Sequence, residues 1–356
     1  MASVDPASIA AVRPFVDAEL KTFLDQRRTH LLEIGPELEP LLDSLERMIS
    51  GGKRIRPAFC YWGWRGAGGP EVPEIHTAAA ALELLQACAL LHDDVIDNSD
   101  TRRGLPATHR QLADLHHSSG WGGSATAFGN GAAILLGDLC LAWSDELYTN
   151  SGLCRDAIAS GRPAFDAMRA EVMAGQYLDM LEQARQTEHV DAALRVMHYK
   201  AAKYTVERPL HLGAQLAGAS DDLVAAYTAY GRPLGLAFQL RDDILGAFGN
   251  PEQTGKPAGD DFREGKRTVL VAETLRLANP DQGTELRNLL GDPDLSEETV
   301  SWLRDVIVSS GALRACEDRI ANYAAEAQAA LDGIRMPEEA RRGLEELVAA
   351  ATVRDT

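Results

Sequence analysis

The sequence predicts an all-α protein with one domain over residues 1–356. Alanine- and leucine-rich stretches with helical spacing recur along the chain. Alternating β-branched runs bounded by turns, which indicate strands, are almost absent. No fixed-period repeat, low-complexity tract or linker divides the chain, so we expect a single helical domain.

The predicted helices follow one another with short breaks. Helical spacing over 36–50 ends at Gly51-Gly52, and another helix is expected from about Pro57. The central helix, 73–97, is apolar nearly all round and should be buried. Later helices are predicted over 132–147, 163–183, 190–217, 223–248 and 268–278, with further amphipathic helices over 296–353.

The breaks between these helices are rich in loop-forming residues. Residues 117–131 contain many Ser and Gly, and residues 250–266 many Gly, Pro, Asp and Lys, so both predict surface loops. Pro209 is expected to kink or break its helix.

Composition limits the function classes. A 45% hydrophobic and 25% charged content is typical of soluble globular proteins. The net charge of -18 argues against a nucleic-acid surface or an anionic membrane as the main partner. Five scattered cysteines without a CxxC pair fit a reduced, cytoplasmic compartment. We see neither a signal peptide nor an apolar run of about 18 charge-free residues, and expect no membrane span.

An aspartate-rich motif, LHDDVID, ends the central helix. Asp93 and Asp97 are four residues apart and share one helix face, so they repel unless a cation lies between them. Mg2+ takes oxygen ligands and is commonly shared with substrate phosphates. Arg102 and Arg103 follow closely, and guanidinium groups bind phosphate oxygens in pairs. The motif predicts a metal-bridged diphosphate.

A second aspartate pair, Asp242-Asp243, also closes an apolar helix. One such pair alone would indicate a solvated helix end. Two pairs in one helical protein favour a shared metal site, with Asp93, Asp97 and Asp242 facing one another if the helices converge.

Basic residues supply candidate diphosphate ligands. Lys53 and Arg56 follow two glycines at a helix-to-helix turn, and the alternative is a helix C-cap with basic residues. Lys200, Lys256 and Lys266, each taken alone, are typical of solvated surface lysines. The dipeptide His92-Asp93 also occurs in metal phosphohydrolases, but that class needs further His and Asp ligands on neighbouring helices.

Together these motifs resemble the trans-isoprenyl diphosphate synthase, or polyprenyl synthetase, family, and particularly its geranylgeranyl diphosphate synthases. The resemblance covers the core motifs, 51–270, in the family's order. The matching segments are GGKRIRP (51–57), LLQACALLHDDVIDNSDTRRG (84–104), GQYLD (175–179), YKAAKYT around Lys200, and FQLRDDILGAFGNPEQTGKPAGDDFREGKRT (238–268). The resemblance implies a helical barrel or bundle of the isoprenoid-synthase type around a deep apolar cavity, usually as a homodimer, with the two aspartate-rich sites facing each other at its mouth.

The resemblance also implies residue roles. The Mg2+ ions on the allylic diphosphate would be bound by Asp93, Asp97 and Asp242. That diphosphate would be held by Arg102, Lys200 and Lys256. Isopentenyl diphosphate would be held by Lys53, Arg56, Gln86 and Arg103. The positions that line or close the allylic pocket are Gln176, Asp179, Gln239 and Lys266.

Two positions depart from the family pattern. Gly246 stands where many members have the last aspartate of the second motif. Ala201 stands where Thr or Ser is common. Neither change by itself predicts loss of activity.

The implied reaction is ionisation of the allylic diphosphate, attack by the double bond of isopentenyl diphosphate, and proton loss to the released diphosphate. Preorganised positive charge stabilises the leaving group, and apolar helices keep water from the cation. The last step needs no His or Glu base, and none is evident.

Product length depends on the residues below Asp93. Members that stop at fifteen carbons carry aromatic residues four or five positions before the first aspartate. Here those positions are Ala89 and Cys88, both small. We therefore expect a C20 product, geranylgeranyl diphosphate, with longer polyprenyl or shorter farnesyl diphosphate as alternatives.

Two other classes share part of the pattern. Class I terpene cyclases have the first aspartate motif, but their second motif usually contains Asn, Ser and Glu, and they need no second diphosphate clamp. A non-catalytic synthase subunit would be expected to have lost catalytic Asp or Lys residues, and nearly all are present here.

Overall fold

The structure is a computed structural model that describes residues 7–249 and 259–352. Its first helices are α1 (Ala7–Ala10), α2 (Arg13–Ile34), α3 (Glu39–Ile49), α4 (Ile55–Gly66), α5 (Pro73–Ile96), α6 (Thr108–Ser118), α7 (Ala125–Thr149) and α8 (Arg155–Ala184). They are followed by α9 (Val190–Met197), a π-helix (His198–Glu207), α10 (Arg208–Leu216) and α11 (Asp221–Phe248). The last are α12 (Asp260–Arg263), α13 (Val269–Leu277), α14 (Pro280–Leu289), α15 (Glu297–Ser310), α16 (Ala312–Asp332) and α17 (Glu338–Thr352).

Strand structure is confined, among the described residues, to a small hairpin. Its strands β1 (Thr101–Arg102) and β2 (Leu105–Pro106) pair antiparallel, and a 3-10 turn, Pro36–Leu38, precedes α3. Local sequence explains several helix starts. Pro73 stands in the first turn of α5, where a proline's missing N–H is tolerated. The side chains of Ser124, Thr268 and Ser296 cap α7, α13 and α15.

The loop predicted over 117–131 is present but shorter, over residues 119–124. Helix α6 continues to Ser118 and α7 begins at Ala125, because the Ser124 hydroxyl accepts a hydrogen bond from the Ala127 N–H at 3.2 Å. Gly129 lies inside α7 against α6, where a Cβ would collide with the carbonyl oxygen of His109. This glycine permits close helix packing and does not mark a turn.

Pro209 does not end its helix. Residues 190–216 stay helical, and the chain passes from π to α geometry at Arg208. Pro209 lies directly after this change of geometry, and its missing N–H removes one hydrogen bond from a helix that nevertheless continues. Residues 250–258 of the loop predicted over 250–266 lie outside the described residues, and residues 259–266 contain the short helix α12.

Contacts divide the described chain into two compact units. The first contains residues 7–166, 209–224 and 335–346. Its core includes Leu84 of α5, and Ser144 of α7 donates a hydrogen bond to the Ala81 carbonyl at 2.7 Å. Helices α4 and α10 approach closely, because a Cβ at Gly63 would lie 2.5 Å from the Leu210 carbonyl oxygen.

The second unit contains residues 167–208, 225–249, 259–334 and 347–352. Leu240, Ile244, Phe262 and Leu270 are buried in its core. Glu273 is buried there too, where Arg276 and Arg319 each pair with its carboxylate at 2.7 Å.

Two described helices are long and apolar enough, by composition, to cross a membrane. In α5 the most apolar window is 72% buried, as in the core helix of a globular protein. In α7 only 28% of that window is buried. Most of the apolar window of α7 is therefore not buried in this chain, unlike that of α5.

Candidate active site

The first aspartate motif lies in the first unit, at the C-terminal end of α5. Asp97 caps this helix, and its N–H donates to the Asp93 carbonyl at 2.8 Å. Asp93 and Asp97 are half-buried, whereas Asp94 is almost fully buried. The sequence prediction that two carboxylates stand one turn apart at the helix end is consistent with this geometry.

Arg102 lies directly beside this motif. Its Nε and Nη2 donate to Oδ1 of Asp94, the Nε bond at 2.8 Å, and its Nη2 is 3.5 Å from Oδ2 of Asp93. The β1–β2 hairpin carries Arg102 to this position. Asp94 was not predicted as a site residue, and it orients the guanidinium that neighbours Asp93.

Arg103 points toward a second group of cations. It has a left-handed backbone, and its Nη1 donates to the Met48 carbonyl at 2.8 Å and the Ser50 carbonyl at 3.3 Å. Burial lowers the pKa of Arg103, and the nearby Arg54, Arg102 and Arg56 guanidiniums lower it further. Four arginines thus lie near one another here, and carboxylates pair with two of them, Arg54 and Arg102.

Gly51 and Gly52, before Lys53, allow the backbone to pass close to the side chains of Arg54 and Glu83. Gly51 has a positive φ of 79°, and a Cβ at Gly52 would lie 3.0 Å from Oε2 of Glu83 and closer still to Arg54. Arg54 is only 5% exposed and pairs with Glu83 and Asp17, each at 2.6 Å. Of the three cations here, Arg54 is structural, while Lys53 is exposed and Arg56 half-buried.

A small cavity lies beside Arg103 and Gln86, with Glu83 and Leu90 among the lining residues. The Gln86 Oε1 atom is buried and has no hydrogen-bond partner among the described residues. A buried amide oxygen normally has a donor. Gln86 is therefore placed to accept from a group that enters from outside the chain.

The second aspartate motif lies in the second unit, near the end of α11. Gln239 donates from Nε2 to Oδ1 of Asp243 at 2.9 Å. Burial raises the pKa of Asp243, and the nearby Asp261 and Asp242 carboxylates raise it further. Asp242 is half-buried. Carboxylates that repel one another in this way favour a bound cation.

Gly246, the departure from the family pattern, lies against Asp261. A Cβ at residue 246 would collide with Oδ2 of Asp261. Lys266 pairs with Glu264 at 2.5 Å and lies 3.8 Å from Asp261. A carboxylate from α12 thus occupies the space of a side chain at 246, which the sequence alone did not reveal.

Lys200 and Asp179 meet in the second unit. Lys200 donates from Nζ to Oδ2 of Asp179 at 2.7 Å. Gln176 lies three residues before Asp179 on α8, and its Nε2 is buried without a hydrogen-bond partner among the described residues. The predicted Lys200 and Asp179 are therefore brought together, 21 residues apart in sequence.

Three predicted residues remain, Lys256, Cys88 and Ala89. Lys256 lies outside the described residues. Cys88 is 2% exposed, with its Sγ 3.8 Å from Nδ1 of His92, whereas Ala89 is half-buried. His92 itself contacts the Ile134 carbonyl at 3.1 Å and Asp138 at 3.6 Å.

The donor set suits Mg2+, although its halves lie in different units. Within the described residues, no group of three His, Cys, Asp or Glu side chains is close enough to hold a metal ion unaided. The chemistry nevertheless fits a hard cation: the candidate donors Asp93, Asp97 and Asp242 are all carboxylates.

Comparisons with known proteins show the family to which the chain belongs. The profile of the polyprenyl synthetase family matches residues 39–307. The geranylgeranyl diphosphate synthase of Sulfolobus acidocaldarius is 33% identical over 270 residues, 74% of this chain and 75% of that protein. The geranylfarnesyl diphosphate synthase of Aeropyrum pernix is 32% identical over 291 residues, 80% of this chain and 84% of that protein.

A solved structure is similar over the whole chain. It is a geranylgeranyl pyrophosphate synthase from Corynebacterium glutamicum, complexed with isoprenyl diphosphate and magnesium. The two chains are 40% identical with a TM-score of 0.93, over 99% of this chain and 100% of that one. These matches confirm the predicted all-α fold class and show that this chain belongs to the polyprenyl synthetase family and is a trans-prenyltransferase.

Proposed function

We propose that the enzyme condenses isopentenyl diphosphate with a fifteen-carbon allylic diphosphate to give the C20 product geranylgeranyl diphosphate. The observation that carries the chain length is the pair of small residues, Cys88 and Ala89, below Asp93. The relatives do not decide it, because they include both geranylgeranyl and nonaprenyl diphosphate synthases.

The allylic diphosphate is assigned to the carboxylates and their neighbouring cations. Asp93, Asp97 and Asp242 would hold Mg2+, which when bound neutralises charge on the departing diphosphate. Arg102 and Lys200 would bind diphosphate oxygens. Arg102 lies beside Asp93 and Asp94, and Lys200 donates a hydrogen bond to Asp179. Lys256 is assigned to the same diphosphate from the sequence.

Isopentenyl diphosphate is assigned to the basic group in the first unit. Lys53, Arg56 and Arg103 would bind its diphosphate, and Gln86 would accept a hydrogen bond from water or from a protonated oxygen there. Two anions in one site need this concentration of charge, because each brings several negative charges. A terpene cyclase has no use for this second group.

The test is product sizing by mass spectrometry, with Mg2+, isopentenyl diphosphate and each allylic starter in turn. We expect one C20 diphosphate from the fifteen-carbon starter. A fifteen-carbon end product would contradict the chain-length proposal, and no elongation would contradict the condensation itself. Asp93→Ala should lower turnover by orders of magnitude, and near-normal turnover would remove Asp93 from the metal assignment.

We also propose that the enzyme is a cytoplasmic homodimer that uses the exposed face of α7. Leu135 is 67% exposed on this helix, and Ile134 and Phe128 are also exposed. Trp121 packs edge-to-face against Phe128, with the ring centroids 5.4 Å apart. An apolar patch of this kind marks an interface, and the net charge of -18 disfavours an anionic membrane as its partner.

Light scattering of the purified protein, with Leu135→Glu as the variant, tests this assembly. We expect a wild-type dimer and a variant shifted toward the monomer. Val308→Glu is a control, because Val308 is also exposed but lies on α15. A monomeric wild type, or wild-type binding to phosphatidylcholine vesicles that Leu135→Glu abolishes, would contradict the homodimer.

A further inference from the structure

One face of helix α8 holds the π-helix that carries Lys200. Glu171, Gly175 and Asp179 are spaced by four residues, so they lie along one side of α8. Each of them meets the segment 198–208. Asp179 accepts from Lys200 at 2.7 Å, and a Cβ at Gly175 would lie 2.5 Å from the Lys200 backbone nitrogen.

Glu171 makes the other anchor of this contact. Its Oε1 accepts from Nζ of Lys203 at 2.7 Å and from Nη2 of Arg208 at 2.7 Å, and its Oε2 accepts from Nε of Arg208 at 2.7 Å. Burial acts to raise the pKa of Glu171, but the hydrogen bonds from Arg208 and Lys203 outweigh it, so the pKa is lowered. The carboxylate therefore stays charged and bridges the π-helix and the start of α10.

The π-helix, residues 198–207, depends on contacts such as those of Glu171 to keep its geometry. The Arg208 N–H donates to the Lys203 carbonyl, the i to i−5 pattern of a π-helix. Long π-helices are rare, so tertiary contacts must hold this one. A slip of one residue toward α geometry would turn a side chain by about 100° around the helix axis. Lys200 would then no longer face Asp179.

We propose that Glu171 is a positioning residue of the prenyltransferase, which fixes the π-helical register that aims Lys200 at the allylic diphosphate. Glu171 pairs with Lys203 and Arg208 and acts through Lys200, without a substrate contact of its own. This inference rests on the proposed role of Lys200 in binding that diphosphate.

A double-mutant cycle between Glu171→Gln and Lys200→Met tests the coupling. The measurement is the KM for the allylic diphosphate and kcat/KM, at saturating isopentenyl diphosphate. We expect Glu171→Gln to lower kcat/KM by about 10- to 100-fold, as small misplacements of binding groups do. The double variant should be no worse than Lys200→Met, because Glu171 acts only through Lys200.

Glu182→Gln is the matched control. Glu182 is a buried carboxylate on the same helix, which pairs with Arg195 at 2.8 Å and accepts a hydrogen bond from Thr187 at 2.5 Å. Its variant should keep kcat/KM within about twofold, as substitutions outside the coupled group do. If the fold losses in kcat/KM of Glu171→Gln and Lys200→Met multiply in the double variant, the positioning role is overturned.

Hydrogen exchange provides a readout that does not depend on substrate. Amides of residues 198–208 should exchange faster in Glu171→Gln and not in Glu182→Gln, and unchanged exchange would overturn the proposal. If Glu171→Gln does not fold, Lys203→Met removes one partner and should show the same changes more weakly. Normal kinetics in Lys200→Met would refute the proposed role of Lys200, whereas the exchange result would still test whether Glu171 holds the register.

Discussion

Asp261 fills the space next to Gly246, so the missing aspartate of the second motif has a local explanation. We predict that Gly246→Asp destabilises the protein by about 1–3 kcal/mol, because overpacking costs this much and two carboxylates would collide. Thermal unfolding measures the loss. Adding Asp261→Ala to Gly246→Asp should restore much of it, and a Gly246→Asp protein as stable as wild type would show that Asp261 moves aside freely.

Cys88 and Ala89 are adjacent residues with different surroundings. Cys88 is buried near His92, whereas Ala89 is half-buried. We predict that Ala89→Phe shortens the main product and leaves the melting temperature near the wild-type value. Cys88→Phe should instead lower the melting temperature, because a buried site has no room for a larger side chain. Product sizing and calorimetry compare them, and an unchanged product from Ala89→Phe would contradict the assigned path of the chain.

The π-helix is the element that sequence patterns describe least well. Its first residue, His198, is partly buried, and burial lowers its pKa to about 4, with further lowering by Arg232, Lys203 and Arg208 and an opposing effect of Glu171. The folded protein therefore keeps His198 neutral at pH values where the unfolded chain protonates it. Stability present above about pH 6.5 should be lost as the pH falls toward 4.

His198→Asn removes this titration and serves as the test. Urea unfolding at pH 7 and pH 5 should show a larger loss of stability in the wild type than in His198→Asn. An equal loss in both proteins would mean that His198 is not responsible. The variant also leaves the contacts of Glu171 with Lys203 and Arg208 in place.

At the scale of the whole molecule, the aspartate motifs predict that metal and diphosphate bind together. We expect Mg2+ with inorganic pyrophosphate to raise the melting temperature. At a ligand concentration 100 times the dissociation constant, the free energy of unfolding should rise by about 2.7 kcal/mol. EDTA should reduce the effect strongly, since bare carboxylates repel a diphosphate, and only the basic group of Lys53, Arg56 and Arg103 would still bind pyrophosphate without metal. Asp93→Asn combined with Asp97→Asn is the control, and equal stabilisation by pyrophosphate in EDTA would contradict a metal bridge.

Much of the fold could be predicted because its signals are local. Helical periodicity, the Gly51-Gly52 stop and Pro73 located α3 and α5 closely, and the spacing of Asp93 and Asp97 indicated a metal-dependent site. The loop predicted over 117–131 was too long because the role of a glycine depends on its neighbour, as Gly129 shows inside α7.

The sequence by itself determined the all-α class, the positions of the charged motifs and the family they indicate, since each depends on residues within a few turns of one another. Tertiary structure decided which charges meet. Arg54 and Glu83 are 29 residues apart, and Glu171 and Arg208 are 37 apart. Such pairs form only when helices pack, because packing brings side chains together without regard to sequence separation. The pair with Glu83 thus shows that Arg54 is held inside the protein.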